Sequence, residues 1–347
     1  MHNKTFMVAV LCTSVLSTAP ITGARAADSN VQYMSSKTIP LGAPDRWDYL
    51  VFEDATQRVF VAHESGIDVI NGKTGASLGK VSVPGANGIA VVSSAGKGYA
   101  GSRASNSVLV FDLASYKVTK KLPADEDTDG VVYDPASKRI FVMEGDPAKL
   151  LVIDTATDTV VSRISLGGKP EYSVVDGAGN LYVNIADKRE IQRIDTATAK
   201  VNATWPIPDC ESPHGLSMDI SSHRLFASCI NSKLLVVSAE DGHVVATQPI
   251  GMGSDATAFD SKRKRAFSSN WDGTLSVISS QSPDRYVSLG EIATRPTART
   301  MAIDSQSGRI YLVAAERIEV DPSATNPRKR YGVKPGSVSL IFMDPAP

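Results

Sequence analysis

The sequence has little of what marks several large protein classes. Its 347 residues include only 3 cysteines, and 36 basic residues against 37 acidic ones leave a formal net charge of −1. The low cysteine count excludes a disulfide-rich scaffold and a cysteine-rich zinc module. The charge balance excludes binding of nucleic acid through overall positive charge, and we expect no nucleic-acid partner. Hydrophobic residues make up 42% of the chain, which argues against extensive disorder.

Three common signatures of catalytic or cofactor sites are also missing. The chain contains no Gly-x-x-x-x-Gly-Lys-Ser/Thr phosphate loop, no His-Glu-x-x-His helix and no Cys-x-x-Cys-His haem attachment site. These absences leave no reaction named by a local motif, so whether the protein is an enzyme stays open at this point.

The N-terminus is the one strongly apolar stretch. Lys4 precedes an apolar run over residues 6–16, and Ala24-Arg25-Ala26 supplies the small-x-small pattern that signal peptidases recognise. We therefore predict a cleaved signal peptide over residues 1–26 and a periplasmic or secreted mature protein. An uncleaved anchor is the alternative, but the run is shorter than the roughly 20 residues of a membrane helix. No later segment is apolar enough to span a membrane, so we expect no span after cleavage.

One sequence motif recurs along the rest of the chain: an acidic or small residue, a short turn, and a strand centred on an aromatic residue. The aromatic residues follow one another at intervals of 39, 42, 41, 44, 41 and 44 residues. They are Phe60, Tyr99, Phe141, Tyr182, Phe226, Phe267 and Tyr311. Seven copies with a period near 40 are typical of a propeller or a solenoid.

Each copy reads as four short strands separated by turns. In the third copy the Val- and Ile-rich stretches 131–133, 139–143, 150–153 and 160–164 alternate with turn sequences. Four strands in each of seven copies predict an all-β fold, a seven-bladed β-propeller of four-stranded antiparallel blades. We expect it to form a single domain over residues 31–347.

The two ends of the repeat array complement each other. The last copy has a third strand at 338–342 and no fourth, whereas an extra strand at 32–39 precedes the first copy. The stretch 36–42 echoes 161–167, which leads out of the third copy along its fourth strand. We therefore predict that the N-terminal strand completes the last blade and removes the open edges of a linear array.

Several stretches are similar to a known repeat. Tyr182-Val183-Asn184, the run 269–278 and the Gly-Gly-Lys-Pro sequence at 167–170 resemble the YVTN repeat of the YncE-like family of seven-bladed β-propellers. The resemblance covers essentially the whole chain after residue 26. It implies the propeller fold but no single activity, because propellers host many functions.

One position of the repeat should form a ring at the mouth of the central channel. It lies five residues before the acidic anchor of each copy, where the inner strand begins. Its seven occupants are Asp48, Gly88, Asp129, Glu171, His214, Asp255 and Arg299. Oxygen ligands beside an imidazole suit Ca²⁺, Mg²⁺, Mn²⁺ or Zn²⁺, although a polar, water-filled mouth would carry the same residue types.

These residues and their neighbours supply the candidate roles. Asp129, Glu171 and Asp255 are candidate metal ligands, and His214 or His63 is a candidate general base. Five further residues of the same face are candidates for contacting a bound molecule: Asp48, Arg299, Arg103, Asn270 and Trp271.

Two cysteines lie beyond the predicted signal peptide. Cys210 is in the loop that enters the fifth blade, four residues before His214, and Cys229 ends the second strand of that blade. The repeat places them on one face and in adjacent strands, so we predict a disulfide between them. Two unpaired thiols are the alternative.

The seventh copy carries an insertion. Its aromatic residue Tyr311 lies 27 residues before Val338, whereas the equivalent interval from Phe267 to Val277 is 10. The long loop 316–336 is therefore inserted on the mouth face, and its basic residues would attract an anionic ligand or a partner. A solvated loop with no such role is the alternative.

Two main functions remain in competition. The first is an exported YncE-like propeller, expected to be a monomer, that binds a small molecule or a periplasmic protein partner at the mouth face. The second is a divalent-metal-dependent lyase or lactonase, similar in plan to the streptogramin-lyase and gluconolactonase-like propellers. A third, an accessory role beside a quinone-dependent dehydrogenase, is implied only by the family resemblance.

Overall fold

Short stretches rich in Val, Ile and Leu, separated by turns, form thirty β-strands in the described part of the chain, because β-branched side chains pack well on a half-buried pleated surface. The computed structural model describes Met1 and residues 32–42, 46–320 and 331–346. The predicted signal peptide lies outside the described residues. Within them, no helical segment combines the length and hydropathy that crossing a bilayer requires.

The first four blades follow the chain order, with strands of each blade antiparallel to their neighbours. Blade one contains β2 (Trp47–Glu53), β3 (Arg58–His63), β4 (Gly66–Asn71) and β5 (Ser77–Val81). Blade two contains β6 (Ala86–Val92), β7 (Lys97–Ser102), β8 (Ser107–Asp112) and β9 (Val118–Pro123). Blade three contains β10 (Thr128–Asp134), β11 (Arg139–Glu144), β12 (Lys149–Asp154) and β13 (Thr159–Ser165). Blade four contains β14 (Pro170–Val175), β15 (Asn180–Ile185), β16 (Glu190–Asp195) and β17 (Lys200–Pro206).

The remaining blades complete the ring. Blade five contains β18 (Pro213–Asp219), β19 (Arg224–Cys229), β20 (Lys233–Ser238) and β21 (Val244–Pro249). Blade six contains β22 (Ser254–Asp260), β23 (Arg265–Asn270), β24 (Thr274–Ser282) and β25 (Arg285–Ala293). Blade seven contains β26 (Thr300–Asp304), β27 (Arg309–Ala314), β30 (Ser339–Pro345) and β1 (Tyr33–Pro40). A separate hairpin joins β28 (Arg317–Glu319) to β29 (Tyr331–Val333), and three short 3-10 helices span Ser93–Ala95, Arg103–Ser105 and Ile220–Ser222.

The seven four-stranded blades confirm the predicted propeller. The inner strands of neighbouring blades contact one another around the centre. The recurrent aromatic residues of strand two are buried between neighbouring strands and blades; Phe60 and Phe267, for example, are fully buried. The first acidic residue of the repeated motif ends the inner strand and fixes the next turn: the Asp134 carboxylate accepts hydrogen bonds from the backbone N–H and the hydroxyl of Ser137.

The ring is closed by the N-terminal strand, as predicted. Strand β1 pairs with β30 in an antiparallel ladder that places Ile39 opposite Leu340. Blade seven therefore takes its outer strand from one end of the described chain and its other three from the opposite end. This pairing satisfies the backbone groups that β30 would otherwise expose at an open edge.

Basic side chains also tie several blades to the next. The Arg58 guanidinium donates to the Leu113 carbonyl of blade two at 2.6 Å, and the Arg309 guanidinium of blade seven donates to the Gly72 carbonyl of blade one at 2.8 Å. The same link recurs from Arg139 to Thr196 and from Arg224 to Pro283. The basic residue that recurs in the sequence repeat is therefore an inter-blade clasp in these four blades; in blade six the neighbouring Arg263 makes a similar bond to Ser305.

Ring closure predicts a large loss of stability on truncating the core of the last blade. Phe342 is 1% exposed, and its ring packs edge-on against Tyr311 with centroids 5.0 Å apart. We expect Phe342→Ala to lower the free energy of unfolding by about 3–5 kcal/mol, because it leaves a cavity in the closing blade. Urea unfolding measures this loss, with Ile318→Ala in the exposed hairpin as the control. A loss no larger than that of the control would contradict the role assigned to this contact.

Candidate functional site

The predicted ring residues lie around one cavity of about 200 Å³ at the end of the central channel. We call it the mouth cavity. The side chains from the sequence prediction that line it are Asp48, Arg103, Asp129, Glu171, His214, Asp255 and Arg299. The mouth is thus assembled from residues far apart in the chain, and the repeat position found in the sequence brings them together.

Local backbone geometry explains why these side chains share one direction. Asp48, Asp129, Glu171, His214 and Asp255 are each the second residue of an inner strand. In each of these five strands, the pairing with strand two shifts register within the first few residues. Such irregularities bend a strand and redirect a side chain, so the same bulge recurs at the mouth in five blades.

In blade two the strand register places Asn87 at the ring position, rather than the predicted Gly88. Val92 pairs with Lys97 there as Glu53 pairs with Arg58 in blade one, and β6 has the same register shift as the five inner strands above. The Asn87 amide donates to the Asp129 carboxylate at 2.8 Å. Gly88 follows it, where a Cβ atom would lie 2.2 Å from the Asp129 carbonyl oxygen of the next inner strand, so only glycine fits this close approach.

The sequence analysis missed four further residues of the cavity wall. They are Arg46, Tyr49, Lys169 and Tyr172. The two tyrosines come from blades one and four and stack with their ring centroids 4.5 Å apart. Burial raises the pKa of both phenols well above the usual range, so both are neutral at physiological pH. In the sequence, the feature that could have pointed to these tyrosines is that each directly follows a ring carboxylate.

Asp255 is held by two neighbours in the ring. Its carboxylate lies 2.8 Å from Nη1 of Arg299 and 3.1 Å from Nδ1 of His214. Burial alone would raise the pKa of Asp255, but Arg299 and the His214 hydrogen bond outweigh it and lower the pKa. Burial would lower the pKa of His214, yet the Asp255 hydrogen bond and the charge of Glu171 raise it. Arg299 and His214 therefore offset the negative charge of Asp255 within the ring.

The other three ring carboxyls are poorly compensated. Burial raises the pKa of Glu171 to about 7, with the charge of Asp129 adding to the effect. Burial also raises the pKa of Asp129 to about 6, against the opposing charge of Arg103. Burial and the charge of Asp129 raise the pKa of Asp48 well above its usual range. The mouth therefore holds carboxyl groups that are only partly ionised near neutral pH.

The cations nearest these carboxyls are engaged elsewhere. Arg103 forms a close ion pair with Asp127, and Lys169 Nζ lies 3.5 Å from the same carboxylate. Asp129 instead accepts a hydrogen bond of 2.8 Å from the amide of Asn87. The nearest cationic group to Glu171 is the His214 ring, at 4.0 Å.

The three predicted metal ligands do not converge on one point in the described structure, and the metal site stays a prediction. Among the described residues, no three His, Cys, Asp or Glu side chains come close enough together to hold a metal ion. Asp129, Glu171 and Asp255 line the same cavity, but Asp255 is already bound by Arg299 and His214. The donor set expected for Ca²⁺, Mg²⁺, Mn²⁺ or Zn²⁺ therefore does not converge on a common point.

Two predicted site residues lie in the protein interior rather than in the cavity wall. His63 is 1% exposed; its Nε2 lies 3.1 Å from the Asp68 carboxylate, and its Nδ1 lies 3.1 Å from the Ser65 hydroxyl. Asn270 is fully buried, and its amide donates at 3.0 Å to the hydroxyls of Thr274 and Ser276. Both side chains organise their own blades, and sequence position alone could not show that they point inward.

Trp271 lies beside the mouth and lines two further cavities. The first, which we call the aromatic cavity, has a volume of about 180 Å³ and is lined by Arg46, Trp47, Trp271, Arg299, Tyr331, Gly332 and Val333. The second has a volume of about 200 Å³, and its wall includes Ile230, Trp271, His214 and Arg299. Shared side chains connect both of these cavities to the mouth cavity.

The predicted disulfide is present. Cys210 and Cys229 are bonded, with their Cα atoms 5.1 Å apart. Cys229 lies directly opposite Pro213 in the ladder between β18 and β19, so the bond fixes the loop immediately before His214. This position links the only disulfide of the described residues to the mouth.

A hydrolase-like letter pattern carries no matching geometry. The run Gly75–Gly79 reads Gly-x-Ser-x-Gly, but Ser77 is the first residue of the outer strand β5 and is exposed. A nucleophile elbow needs a sharp turn from a strand into a helix, and here the chain turns between two strands. The pattern is therefore a coincidence of composition.

The insertion of blade seven is only partly described. Its hairpin strands β28 and β29 are defined, and Lys334 Nζ binds the Glu316 carboxylate at 2.9 Å. Residues 321–330, which include three of the five basic residues of the loop 316–336, lie outside the described residues. The expected role of this loop in attracting an anionic partner stays a prediction.

Comparisons with known proteins agree with the fold. No family model matches the chain. Two curated relatives named "Uncharacterized protein YncE", from Salmonella typhimurium and Salmonella typhi, are 25% identical over 215 residues, which are 60% of this chain and 57% of each relative. The match thus spans little more than half the length of these relatives. Hydrazine synthase of Kuenenia stuttgartiensis has a TM-score of 0.68 at 14% identity, covering 81% of this chain and 96% of that one, and shows the fold alone.

Because the pKa values of Glu171 and Asp129 are raised, we predict that these carboxyls lower the free energy of unfolding at high pH. A carboxyl with a pKa near 7 when folded and about 4.3 when unfolded binds more protons in the folded state between these values. The free energy of unfolding therefore falls as the pH rises through this window. We expect Glu171→Gln to gain about 3 kcal/mol over the parent protein at pH 8 and almost nothing at pH 4, since each unit of pKa shift corresponds to about 1.4 kcal/mol. Urea unfolding at both pH values measures it; the same gain in exposed Glu126→Gln would contradict the assignment.

The disulfide predicts a second stability effect. The bonded cysteines are 19 residues apart, and closing a loop of this length stabilises a folded chain by about 3 kcal/mol. We expect the Cys210→Ser/Cys229→Ser variant to lose about that much, measured by urea unfolding without reductant. The parent protein unfolded with excess reductant should match the variant. Equal stability of the variant and the oxidised parent would show that the bond adds nothing.

Proposed function

We propose that this YncE-like seven-bladed propeller is a binding protein whose ligand is a small polar molecule held in the mouth cavity. The observation that carries the proposal is a concave space of about 200 Å³ whose wall combines charged side chains of both signs with two stacked tyrosines. Convergent polar groups and perturbed pKa values in a cavity are the usual marks of a binding site.

The energetics of the mouth support the same proposal. Asp129 and Glu171 are largely buried, and burial raises the pKa of both carboxyls into the range from about 6 to about 7. Burying carboxyls without matched counter-charges is unfavourable for folding. A ligand that supplied the opposite charge would recover this free energy, so the cost of burying these carboxyls is a source of affinity.

The metal-dependent alternative has no comparable support. A lyase or lactonase of this kind needs several oxygen or nitrogen ligands directed at one point. The three expected ligands lie around one cavity without such a convergence, and Arg299 occupies the carboxylate of Asp255. We therefore place His214 in the binding wall, as a positioning partner of Asp255, rather than in the role of a general base.

We also propose that the protein works outside the cytoplasm. The Cys210–Cys229 disulfide supports this location, because such bonds persist in oxidising compartments. The expected signal peptide over residues 1–26 would supply the export signal. Fractionation of the native host, with an antibody against the protein, tests the location; recovery with the cytoplasmic markers would refute it.

Thermal unfolding with a compound panel tests the binding proposal. The panel contains amino acids, polyamines, dicarboxylates, monosaccharides and the chlorides of Ca²⁺, Mg²⁺, Mn²⁺ and Zn²⁺. A ligand at 100 times its Kd stabilises the folded state by about 2.7 kcal/mol, which raises the Tm by several degrees. We expect at least one organic class to do so, and we expect Asp48→Asn and Glu171→Gln to reduce the shift.

The control is Asp241→Asn, which removes an exposed carboxylate whose partner is His243 rather than a mouth residue. This variant should keep the full Tm shift. The proposal fails if no organic compound stabilises the protein, or if the mouth variants respond as the control does. A shift produced only by a divalent cation, and lost in Glu171→Gln, would restore the metal-dependent alternative.

A further inference from the structure

The mouth cavity and the aromatic cavity share a boundary. Arg46 and Arg299 line both of them, so a molecule seated in the mouth can extend past these two guanidinium groups into the aromatic cavity. The two spaces have volumes of about 200 and 180 Å³. Together they suit one small ligand with chemically different ends rather than two independent ligands.

Charge is distributed unevenly along this path. At the inner end, Asp48 and Asp129 have no ion pair within 4.0 Å among the described residues, and Glu171 has only His214 at that limit. At the boundary, Arg46 is exposed, and Arg299 binds Asp255 through Nη1 while its Nε finds no hydrogen-bond acceptor in the described structure. The inner end therefore suits a cationic group, and the boundary suits an anionic one.

The outer end of the path is apolar. Trp47, Trp271, Tyr331 and Val333 line the aromatic cavity. The guanidinium of Arg299 lies 6.0 Å from the centre of the Trp271 ring, so the indole face continues directly from the charged boundary. Aromatic walls of this kind bind flat or bulky apolar groups through area burial and ring contacts.

We infer that the ligand of the mouth is a free α-amino acid with an aromatic or large aliphatic side chain. Its ammonium group faces Asp48 and Glu171, its carboxylate faces Arg46 and Arg299, and its side chain lies against Trp271. This inference rests on the proposed binding function and names the ligand class of the same site. An ammonium and a carboxylate bonded to the same carbon match a boundary where the two charge types meet, which neither a simple amine nor a simple carboxylate uses fully.

Isothermal titration calorimetry with four compounds tests each part of this assignment. The compounds are L-phenylalanine, N-acetyl-L-phenylalanine, L-phenylalanine amide and glycine. Removing the ammonium, the carboxylate or the side chain should each weaken binding at least about tenfold, since each group loses a charged or apolar partner. Equal affinity for the N-acetyl compound or for the amide would overturn the zwitterion assignment.

Matched variants locate the side-chain contact. Trp271→Ala should weaken binding of L-phenylalanine about tenfold or more and leave the weak binding of glycine unchanged, because the indole faces only the side chain. Ile220→Ala, which removes an exposed apolar side chain outside these cavities, is the control. Circular dichroism confirms that both variants are folded. An equal loss for phenylalanine and glycine would overturn the placement of the side chain.

The pH dependence supplies a readout that a purely structural role of the mouth would not give. A bound ammonium favours ionised carboxylates, so binding releases protons from groups such as Asp129 and Glu171, whose pKa values are about 6 and about 7. Affinity should rise between pH 5.5 and 8, and the binding enthalpy should vary with the ionisation enthalpy of the buffer. The other ionisable groups facing these carboxyls are Asp48, Asp127, Asp255, Arg103, Lys169, His214 and Arg299, with Tyr49 and Tyr172. Affinity that falls with pH would overturn the orientation.

Failure of this inference and failure of the binding function are distinguishable. If no amino acid binds but another organic compound raises the Tm in a way that depends on Glu171, the amino-acid assignment is wrong and the mouth is still a binding site. If no organic compound of the panel binds, both are wrong. If L-phenylalanine binds with the same affinity to Asp48→Asn and Glu171→Gln as to the parent protein, its site lies elsewhere and the inference is overturned.

Discussion

The pairing of β1 with β30 is the constraint on which the rest of the structure depends. It joins the two ends of the described chain in one blade, with Ile39 opposite Leu340, and leaves β30 without an open edge. Since the inner strands meet around a closed ring, each one holds its first residues at a fixed place on the channel mouth. The clasp from Arg309 to the Gly72 carbonyl continues across the same junction, so closure depends on the repeated inter-blade contact as well as on the ladder.

Closure also creates the electrostatic character of the mouth. A ring of inner strands forces Asp48, Asp129, Glu171 and Asp255 into one confined space, where burial and mutual repulsion disfavour the ionised forms of the first three. Arg299 neutralises one of them directly, at 2.8 Å from Asp255. The other three carboxyls have no such partner in the described part of the chain; they destabilise the folded protein, and in the proposed function they are the source of binding free energy. A site that tolerates such a cost is more readily explained by a ligand than by stability.

The sequence predicted the fold in detail because a propeller is a local pattern repeated seven times. Each aromatic residue and each turn acid has the same neighbours in every blade, so the spacing of Phe60 and its equivalents was sufficient. Six of the seven ring residues were predictable for the same reason, since they occupy one repeat position. In blade two Val92 takes the place of the acidic anchor from which that position is counted, and Asn87 stands at the ring instead of Gly88. Tyr49 and Tyr172 were not, because their contact joins blades one and four and has no counterpart in the repeat.

The sequence by itself therefore determined the blade number, the closing strand, the disulfide and six of the seven residues of the ring, all of which follow from period and position. Only the tertiary structure decided which charges meet. Whether Asp255 binds a metal ion or Arg299 depends on distances across the channel, and whether His63 faces solvent or Asp68 depends on the packing of its own blade. The period of the repeat determines where in a blade a residue lies. The ionisation and the chemistry of its side chain depend on neighbours that only the closed ring brings within a few ångströms.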